Sequence, residues 1–373
     1  MKKKVLFVAT VVKTHIMVFH LPYLKWFQEQ GYETYVAAKN DYADPTQCVI
    51  PYCDHYINIE FARNPISKQN QKAYRELKNL IDKEEFSIIH CHTPVGGVLA
   101  RLAARKARKK GTKVIYTAHG FHFYTGAPLQ NWLIYYPIER FCAHYTDTLI
   151  TINQEDYKRA QRFACHDIRL VNGVGINLNK TNSCNTDKKL MREQLGIPRD
   201  AFVLLSVGEL IKRKNHPMLI KIMNKLRDEN IYCLICGSGV DYDELDDLIH
   251  QNNLDKQIQL LGFRHDVIAL YETSDLFVFP SLQEGLPVAV MEAMACGKPC
   301  IVSDIRGNHD LIHNEKGGYL VKQNCEEYVE SIQRLLDDPQ KRDSFGMYNK
   351  KRIKDYGLDH VLEQMSNIYR QYM

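Results

Sequence analysis

No stretch of this chain approaches the roughly 18 consecutive apolar residues that a membrane-spanning helix requires, so none is expected to cross a bilayer. Internal repeats and low-complexity segments are also missing. Cysteine is present, 11 over 373 residues, but not in the dense spacing of a small disulfide scaffold; reduced thiols in a cytoplasmic protein are expected. At 45% hydrophobic and 25% charged, with 20 Gly and 13 Pro, the composition excludes disorder, collagen and coiled coil. A soluble globular chain remains, long enough for two domains with a core each. Lys2, Lys3 and Lys4 ahead of the run Val5 to Val12 imitate a signal peptide, but Lys13 and His15 interrupt it and no small-x-small cleavage site follows. A buried first strand is the better reading, since short β-branched runs suit one.

Acidic residues are absent from a long internal stretch: no Asp or Glu occurs between Phe86 and Ile138. Charge is uneven on the larger scale too. Residues 1–182 hold 25 Lys+Arg against 15 Asp+Glu, whereas the remainder holds 24 against 29. The densest basic stretch runs through Arg101, Arg105, Lys106, Arg108, Lys109, Lys110 and Lys113, expected on one helix and its exit. It reads either as a solvated helix face, with cations favoured at the C-terminal end, or as a contact for an anionic membrane surface. Nucleic acid is not expected as a partner, because no aromatic-basic stacking pattern or reading helix accompanies the charge.

Strand-like runs alternate with helical patterns throughout. In the first half the strands are Val5–Thr10, Thr34–Ala38, Ser87–Cys91, Lys113–Thr117 and Thr148–Ile152, with helices such as Phe19–Gln30, Val95–Lys109 and Gln130–Ala143 between them. From Asn172 to about Pro198 the pattern lapses into the composition of a connecting segment. The alternation restarts with Phe202–Val207, Tyr232–Cys236, Gln257–Leu261, Leu276–Phe279 and Cys300–Ser303, with helices at His216–Asp228, Val288–Ala295 and Glu326–Leu336. Two doubly wound α/β domains in series are predicted, at residues 1–175 and 176–355, with a terminal helix in 356–373 crossing back onto the first. Ligands bind such sheets outside the carboxyl ends of the strands, here in a cleft between the two domains.

The most informative segment is Phe279 to Pro299, in which a buried strand ends at Pro280 and a helix begins near Pro287. The turn between them would aim free backbone N–H groups at a phosphate. Glu284 precedes that helix and Glu292 lies two turns into it; the pair suits sugar and ribose hydroxyls, or else Glu284 is a helix cap and Glu292 a surface acid. After the strand ending at Val207, the run Lys212-Arg213-Lys214 would neutralise a diphosphate leaving group or form a solvated turn. Gly237-Ser238-Gly239 permits close backbone approach to a nucleotide. Asp241-Tyr242-Asp243 reads as the acidic first turn of a helix rather than a metal site, and Cys233 and Cys236 as core thiols on a strand. In the first half, His90, His92, His119 and His122 end strands on the ligand side. Histidine exchanges protons near neutral pH, a zinc site being the rival reading; His90 points inward and reads as structural.

The spacing from Glu284 to Glu292, with Glu-Gly-Leu-Pro, Glu-Ala-Met-Ala and Gly-x-Pro around it, resembles the signature of the family 4 retaining glycosyltransferases of GT-B fold. Thr117-Ala-His119-Gly120, Asn172-Gly-Val174 and Gly262-Phe-Arg264 resemble further elements of that family in the right order. The likeness covers nearly the whole chain and, through the His-Gly-Phe-His-Phe string, extends to bacterial capsule and exopolysaccharide enzymes. It implies two Rossmann-like domains facing each other across a cleft. His119 and Glu284 would then act at the reacting sugar. Arg213, Lys214, Gly237, Gly262, Phe263, Arg264, Gly285, Leu286, Pro287 and Glu292 would hold the nucleotide-sugar donor, and His15, His92 and His122 the acceptor. Two departures stand out: Glu209 replaces an Arg common in relatives, and Val12-Lys13-Thr14-His15 replaces a Gly-Gly pair.

The implied reaction is retaining, metal-independent transfer of a hexose or N-acetylhexosamine, with no cofactor, from a donor that family habit makes UDP-linked. The expected acceptor is a polyprenyl-diphosphate-linked sugar at the inner membrane face, given the basic surplus of the first half. A soluble sugar acceptor, a non-catalytic GT-B scaffold, and a metal hydrolase using His90, His92 and His119 are the competing expectations.

Overall fold

The computed structural model describes residues 2–182, 186–227 and 230–373. The chain divides into two compact units, Met1–Val174 with Val361–Met373, and Gly175–His360. The first unit holds seven strands: β1 (Lys4–Val11), β2 (Glu33–Lys39), β3 (His55–Asn58), β4 (Ile88–His92), β5 (Lys113–Ala118), β6 (Thr148–Thr151) and β7 (Asp167–Leu170). They pair in the order β3-β2-β1-β4-β5-β6-β7, and every pairing is parallel. The second unit holds β8 (Phe202–Val207), β9 (Ile231–Cys236), β10 (Ile258–Leu260), β11 (Leu276–Phe279), β12 (Cys300–Ser303) and β13 (Gly318–Val321), ordered β10-β9-β8-β11-β12-β13 and again all parallel. Both are doubly wound Rossmann-like sheets.

The N-terminal run is the central strand of its sheet, flanked by β2 and β4, with every residue from Val5 to Val11 buried. Its alternate side chains feed two cores. Leu6 and Val8 face one with Leu77, Ile89 and Phe123; Val5, Phe7 and Ala9 face another that includes Val361, Met365 and Tyr369 of the terminal helix Leu358–Arg370. That helix therefore completes the cover of the first sheet. Cys233 and Cys236 are buried on β9, and Asp241 precedes the helix Tyr242–Gln251 with Asp243 in its first turn, as the sequence implies.

Three strands escape the sequence pattern for physical reasons. β3 and β7 are four-residue edge strands whose partly exposed side chains carry no run of buried positions. β13 opens on Gly318, where a Cβ would stand 1.8 Å from the Cys300 carbonyl oxygen, so close approach of backbones replaces side-chain patterning. The segment expected to connect the domains carries two short helices, Leu178–Asn182 and Lys188–Gln194. The helix expected over His216–Asp228 runs from Pro217 to Lys225, and its expected end at Asp228 lies outside the described residues.

The basic stretch is not one surface. Its helix breaks at Ala104 into Pro94–Ala103 and Arg105–Lys109, and Arg101 is fully buried. The Arg101 guanidinium pairs with Glu139 at 2.8 Å, donates from Nε to the Gly97 carbonyl, and lies 3.9 Å over the Tyr116 ring. The Tyr116 hydroxyl donates to the other Glu139 oxygen at 3.1 Å. Gly97 is required where it stands, since a Cβ there would meet the Tyr116 ring at 2.5 Å. Arg108 pairs with Asp147, so Arg105, Lys106, Lys109, Lys110 and Lys113 are what the stretch leaves to the surface.

The pair Arg101–Glu139 locks the inward side of the helix Leu129–Ala143 onto the sheet. Arg101→Leu strands a buried carboxylate and is expected to cost about 3–5 kcal/mol, lowering Tm by roughly 10 °C. Adding Glu139→Leu should recover much of that loss. Thermal unfolding of the two variants measures both, and an unchanged Tm for the single variant would refute the pairing.

Candidate active site

In a parallel sheet, all carboxyl ends emerge at one edge, and ligands collect where the strand order reverses. In the first unit the reversal falls between β1 and β4, in the second between β8 and β11. The polar groups singled out in the sequence follow those four strands and their neighbours.

In the second unit, Arg213 and Lys214 follow β8 on a short 3-10 turn, and Glu284 follows β11. The Glu284 side chain is buried, 7% exposed, and three donors converge on its Oε1: Lys214 Nζ at 2.6 Å, Ser281 Oγ at 2.6 Å and Arg213 Nη1 at 3.0 Å. Among the described residues no donor reaches Oε2. Arg213 also donates to the Gln283 carbonyl, and Arg306 Nε to the Glu284 carbonyl, fixing the loop from both sides. Burial lowers the Lys214 pKa in spite of Glu284 beside it. Gly307 packs on this loop, where a Cβ would come within 2.4 Å of the Gly285 oxygen. Gly285, Leu286 and Pro287 then lead into the helix Val288–Ala295, whose Glu292 is half-buried and within 3.4 Å of the Tyr271 hydroxyl. Burial raises the Glu292 pKa, against the Tyr271 contact.

A pocket of about 360 Å³ opens at the ends of β8 and β9, lined by Gly208, Glu209, Cys236, Gly237, Phe263 and Arg264 among others. Gly237 lets the strand ends close together: its N–H donates to the Gly262 carbonyl, and a Cβ would stand 1.8 Å from the Gly208 oxygen. Gly262 itself adopts φ +63°, the left-handed region that glycine favours. Phe263 is 69% exposed beside the pocket, and Arg264 is held by Asp266.

In the first unit, His15 follows β1, His92 ends β4 and His119 follows β5; all three converge with His20. One ring nitrogen from each of the four lies within 4.8 Å of the others. His119 Nε2 stands 3.4 Å from His92 Nδ1, and the His20 and His92 rings stack at 3.8 Å. Burial is the main cause that pushes all four pKa values below the ordinary 6.5, His119 to about 4, with neighbouring imidazoles adding to it for His15, His20 and His92. His90 lies beneath them as a structural histidine: Nε2 bonds Thr117 Oγ1 and Nδ1 the Tyr369 hydroxyl, both at 2.8 Å, and burial lowers its pKa to about 3.

His122 does not join that nest. Its ring stacks on Tyr135 at 4.5 Å and borders a groove of about 470 Å³. The groove runs along Val95, Val98, Leu99, Ile134 and Ile138 and also takes in His15, Thr93 and Arg63. Thr93, a β-branched residue at φ +62°, is held there by Thr10, whose hydroxyl lies 2.7 Å from its own. Sequence reasoning missed His20, Thr93, Ser281 and Arg306. Thr93 beside His92 and Ser281 between Pro280 and Glu284 lie within strings that the sequence singled out, whereas His20 is marked only by its spacing from His15.

Two Rossmann-like units, each with polar groups at its switch point, form the architecture of the GT-B glycosyltransferases. The HepE structure from Anabaena, solved with UDP and glucose, shares this fold, with a TM-score of 0.81 at 18% identity over 99% of this chain and 100% of its own. The chain belongs to the glycosyltransferases: residues 187–352 match the family "Glycosyl transferases group 1" and residues 4–153 the family "Glycosyl transferase 4-like". It is 38% identical to EpsD of Bacillus subtilis, a protein named for a glycosyltransferase, over all of this chain and 98% of that one. It is 33% identical to an Escherichia coli UDP-Gal:alpha-D-GlcNAc-diphosphoundecaprenol alpha-1,3-galactosyltransferase, over 74% of this chain and 73% of that one. The resemblance read from Glu284 to Glu292 therefore holds, and the chain is a glycosyltransferase.

The neutral histidines make stability depend on pH. Folded, they bind fewer protons than the unfolded chain, whose imidazoles titrate near 6.5, so their stabilisation is complete above that value. It is lost as pH falls from about 6.5 toward the folded values, at up to about 1.4 kcal/mol per pH unit for each histidine. Thermal unfolding is expected to show a steep fall in Tm between pH 6.5 and 4.5. A flat profile there would mean that the imidazoles are already charged in the fold.

Proposed function

We propose that the protein transfers a hexose or N-acetylhexosamine from a UDP-sugar to a polyprenyl-diphosphate-linked sugar, with retention of anomeric configuration. The observation that carries the acceptor assignment is the outer face of the helix Leu129–Ala143. Leu129, Leu133, Ile134, Pro137, Ile138 and Phe141 are exposed there, with Gln130 and Arg140 as the polar company and the one acid, Glu139, turned inward. Leu129 is 72% and Leu133 69% exposed. An apolar helix face of this kind lies in a membrane interface. Ile134 and Ile138 also border the groove that takes in His15 and His122, so a lipid-borne substrate entering from that face meets the histidines. Exposed Ile66 and Arg63, beside the same groove, add an apolar anchor and a cation for an anionic surface.

The remaining surface cations of the basic stretch serve this purpose less well. Lys106, Lys110 and Lys113 border a recess before the start of β5, at the amino edge of the sheet, whereas the groove opens at the carboxyl edge. Membrane contact through the helix Leu129–Ala143, on the cytoplasmic face, is therefore the form of peripheral association that fits the acceptor.

For the donor, the second unit supplies the groups. Glu284 keeps Oε2 for sugar hydroxyls while Ser281, Arg213 and Lys214 hold Oε1, which orients the carboxylate without a metal. Arg213 and Lys214 also face the charge that develops on a leaving diphosphate, with backbone N–H groups of Gly285 and Leu286 assisting. Gly237, Gly262, Phe263 and Arg264 surround the base pocket, and Glu292 accepts from the ribose. His119 is assigned to the reactive face of the sugar and His15, His92 and His122 to the acceptor. Among the described residues no carboxylate joins the four-histidine cluster, and Glu139, which borders the groove, is held by Arg101 and Tyr116; the departing phosphate, in place of a carboxylate base for rear attack, takes the acceptor proton on the front face. The alpha linkage in the name of the Escherichia coli relative agrees with retention from an alpha-configured UDP-hexose.

Full activity in a chelator and an alpha-linked product by magnetic resonance are expected; an inverted product, or rescue of a chelated enzyme by magnesium, overturns this mechanism. Glu284→Gln should lose about a hundredfold or more in kcat, some 2.7 kcal/mol of barrier. Leu133→Asp with Ile134→Asp, both on the solvent face, should abolish sedimentation with anionic vesicles and lower activity on the lipid-linked acceptor with little change in Tm. Equal activity on a water-soluble sugar diphosphate, indifferent to vesicles, would replace the lipid-linked acceptor with a soluble one.

A further inference from the structure

The four-histidine nest has chemistry that the transfer reaction does not use. His20 is 1% exposed and neither of its ring nitrogens has a hydrogen-bond partner among the described residues. The same holds for Nε2 of His92 and Nε2 of His15. Four orphaned buried nitrogens in one place would be costly as they stand, since a buried polar group without a partner forfeits about 1–3 kcal/mol. A void of about 10 Å³ borders His20, His92 and His119. That is room for one water-sized occupant and excludes a sugar or a phosphate.

We propose that His15, His20, His92 and His119 bind one zinc-class transition-metal ion. Four imidazoles without a carboxylate are a donor set for zinc, copper or nickel, and a poor one for magnesium, calcium or manganese. Tetrahedral zinc, with Zn–N near 2.0–2.1 Å, wants its nitrogens about 3.4 Å apart. His92 Nδ1 and His119 Nε2 already stand 3.4 Å apart, and one nitrogen from each of the four rings lies within 4.8 Å of the others, so the remaining nitrogens must draw closer to close the shell. The ligands come from the end of β4, the turn after β5 and the two short helical segments after β1, elements locked by the parallel sheet. None of the four donates to a carboxylate among the described residues, and such outer partners are what normally tighten a site. The metal is therefore exchangeable rather than structural. Because His119 is one ligand, an occupied nest withholds it from the sugar and zinc inhibits transfer; that consequence rests on the reading of His119 given above, whereas the binding does not.

Cobalt(II) titrated into the full-length protein reads the site without any assay of transfer. One equivalent should produce the intense visible bands of tetrahedral cobalt, displaced by zinc, and X-ray absorption of the zinc-loaded protein should show four nitrogen neighbours with imidazole scattering. His20→Ala and the half-buried His15→Gln should each weaken binding by more than roughly tenfold, the loss that even an outer-partner change produces. The absorption measurement keeps the test decisive should either variant fail to fold. No binding by the wild type, a thiolate charge-transfer band, oxygen-rich coordination, or unchanged affinity in both folded variants would each overturn the proposal. Zinc bound as described without inhibition would leave the site standing and remove His119 from the transfer chemistry.

Discussion

The arrangement of strands in two all-parallel sheets constrains everything else in this protein. A parallel sheet needs crossovers, the crossovers bring helices over both faces, and the strands in consequence are largely apolar runs whose few polar side chains, such as His90 and Thr117, bond one another inside the fold. Function is thereby confined to the residues that follow each strand. His15, His92 and His119 in one unit, and Lys214, Gly237 and Glu284 in the other, occupy equivalent positions in this sense. They sit closest together where strand order reverses, because there two neighbouring crossovers leave in opposite directions and open the edge of the sheet.

The two edges solve the electrostatic problem of burial differently. In the second unit a buried carboxylate is met by two cations and a hydroxyl on a single oxygen. Those three contacts hold the group in place and aim its other oxygen. The first unit has no acid to spare in the relevant stretch, and its imidazoles respond to burial by staying neutral. Charge compensation suits a site that must meet a diphosphate; neutral nitrogen lone pairs suit one that meets a Lewis acid or a hydroxyl. Arg101 and Glu139 are likewise paired beneath the groove, which Glu139 borders, and they turn a helix so that its apolar side faces outward.

Legibility followed local patterning. β8, β11 and β12 and the helix Val288–Ala295 lie where the apolar runs place them, since a strand buried on both faces writes its whole length in Val, Ile, Leu and Phe. β3 and β7 escape the pattern because their exposed edge positions leave no buried run, and β13 because Gly318 opens it and only three apolar residues follow. The same division runs through the site. Glu284, Lys214 and His119 stand beside motifs, but His20 stands beside none, and it reaches the nest only because a helical turn after β1 brings it round to His92. Arg101 was read with its basic neighbours because charge in a sequence carries no information about depth.

By itself the sequence determined the alternating α/β architecture and the positions after strands where chemistry had to lie, because strand burial and helix capping act between residues near one another in the chain. It also determined that no carboxylate from Phe86 to Ile138 takes part. Tertiary structure alone decided that Glu284 is shared by Arg213 and Lys214, about 70 residues away along the chain, and that four histidines from three segments converge. It decided as well that Arg101 turns inward while Leu133 and Ile134 turn outward. Such contacts depend on which strands lie side by side and which face a helix presents, and those follow from the packing of whole elements rather than from any local spacing.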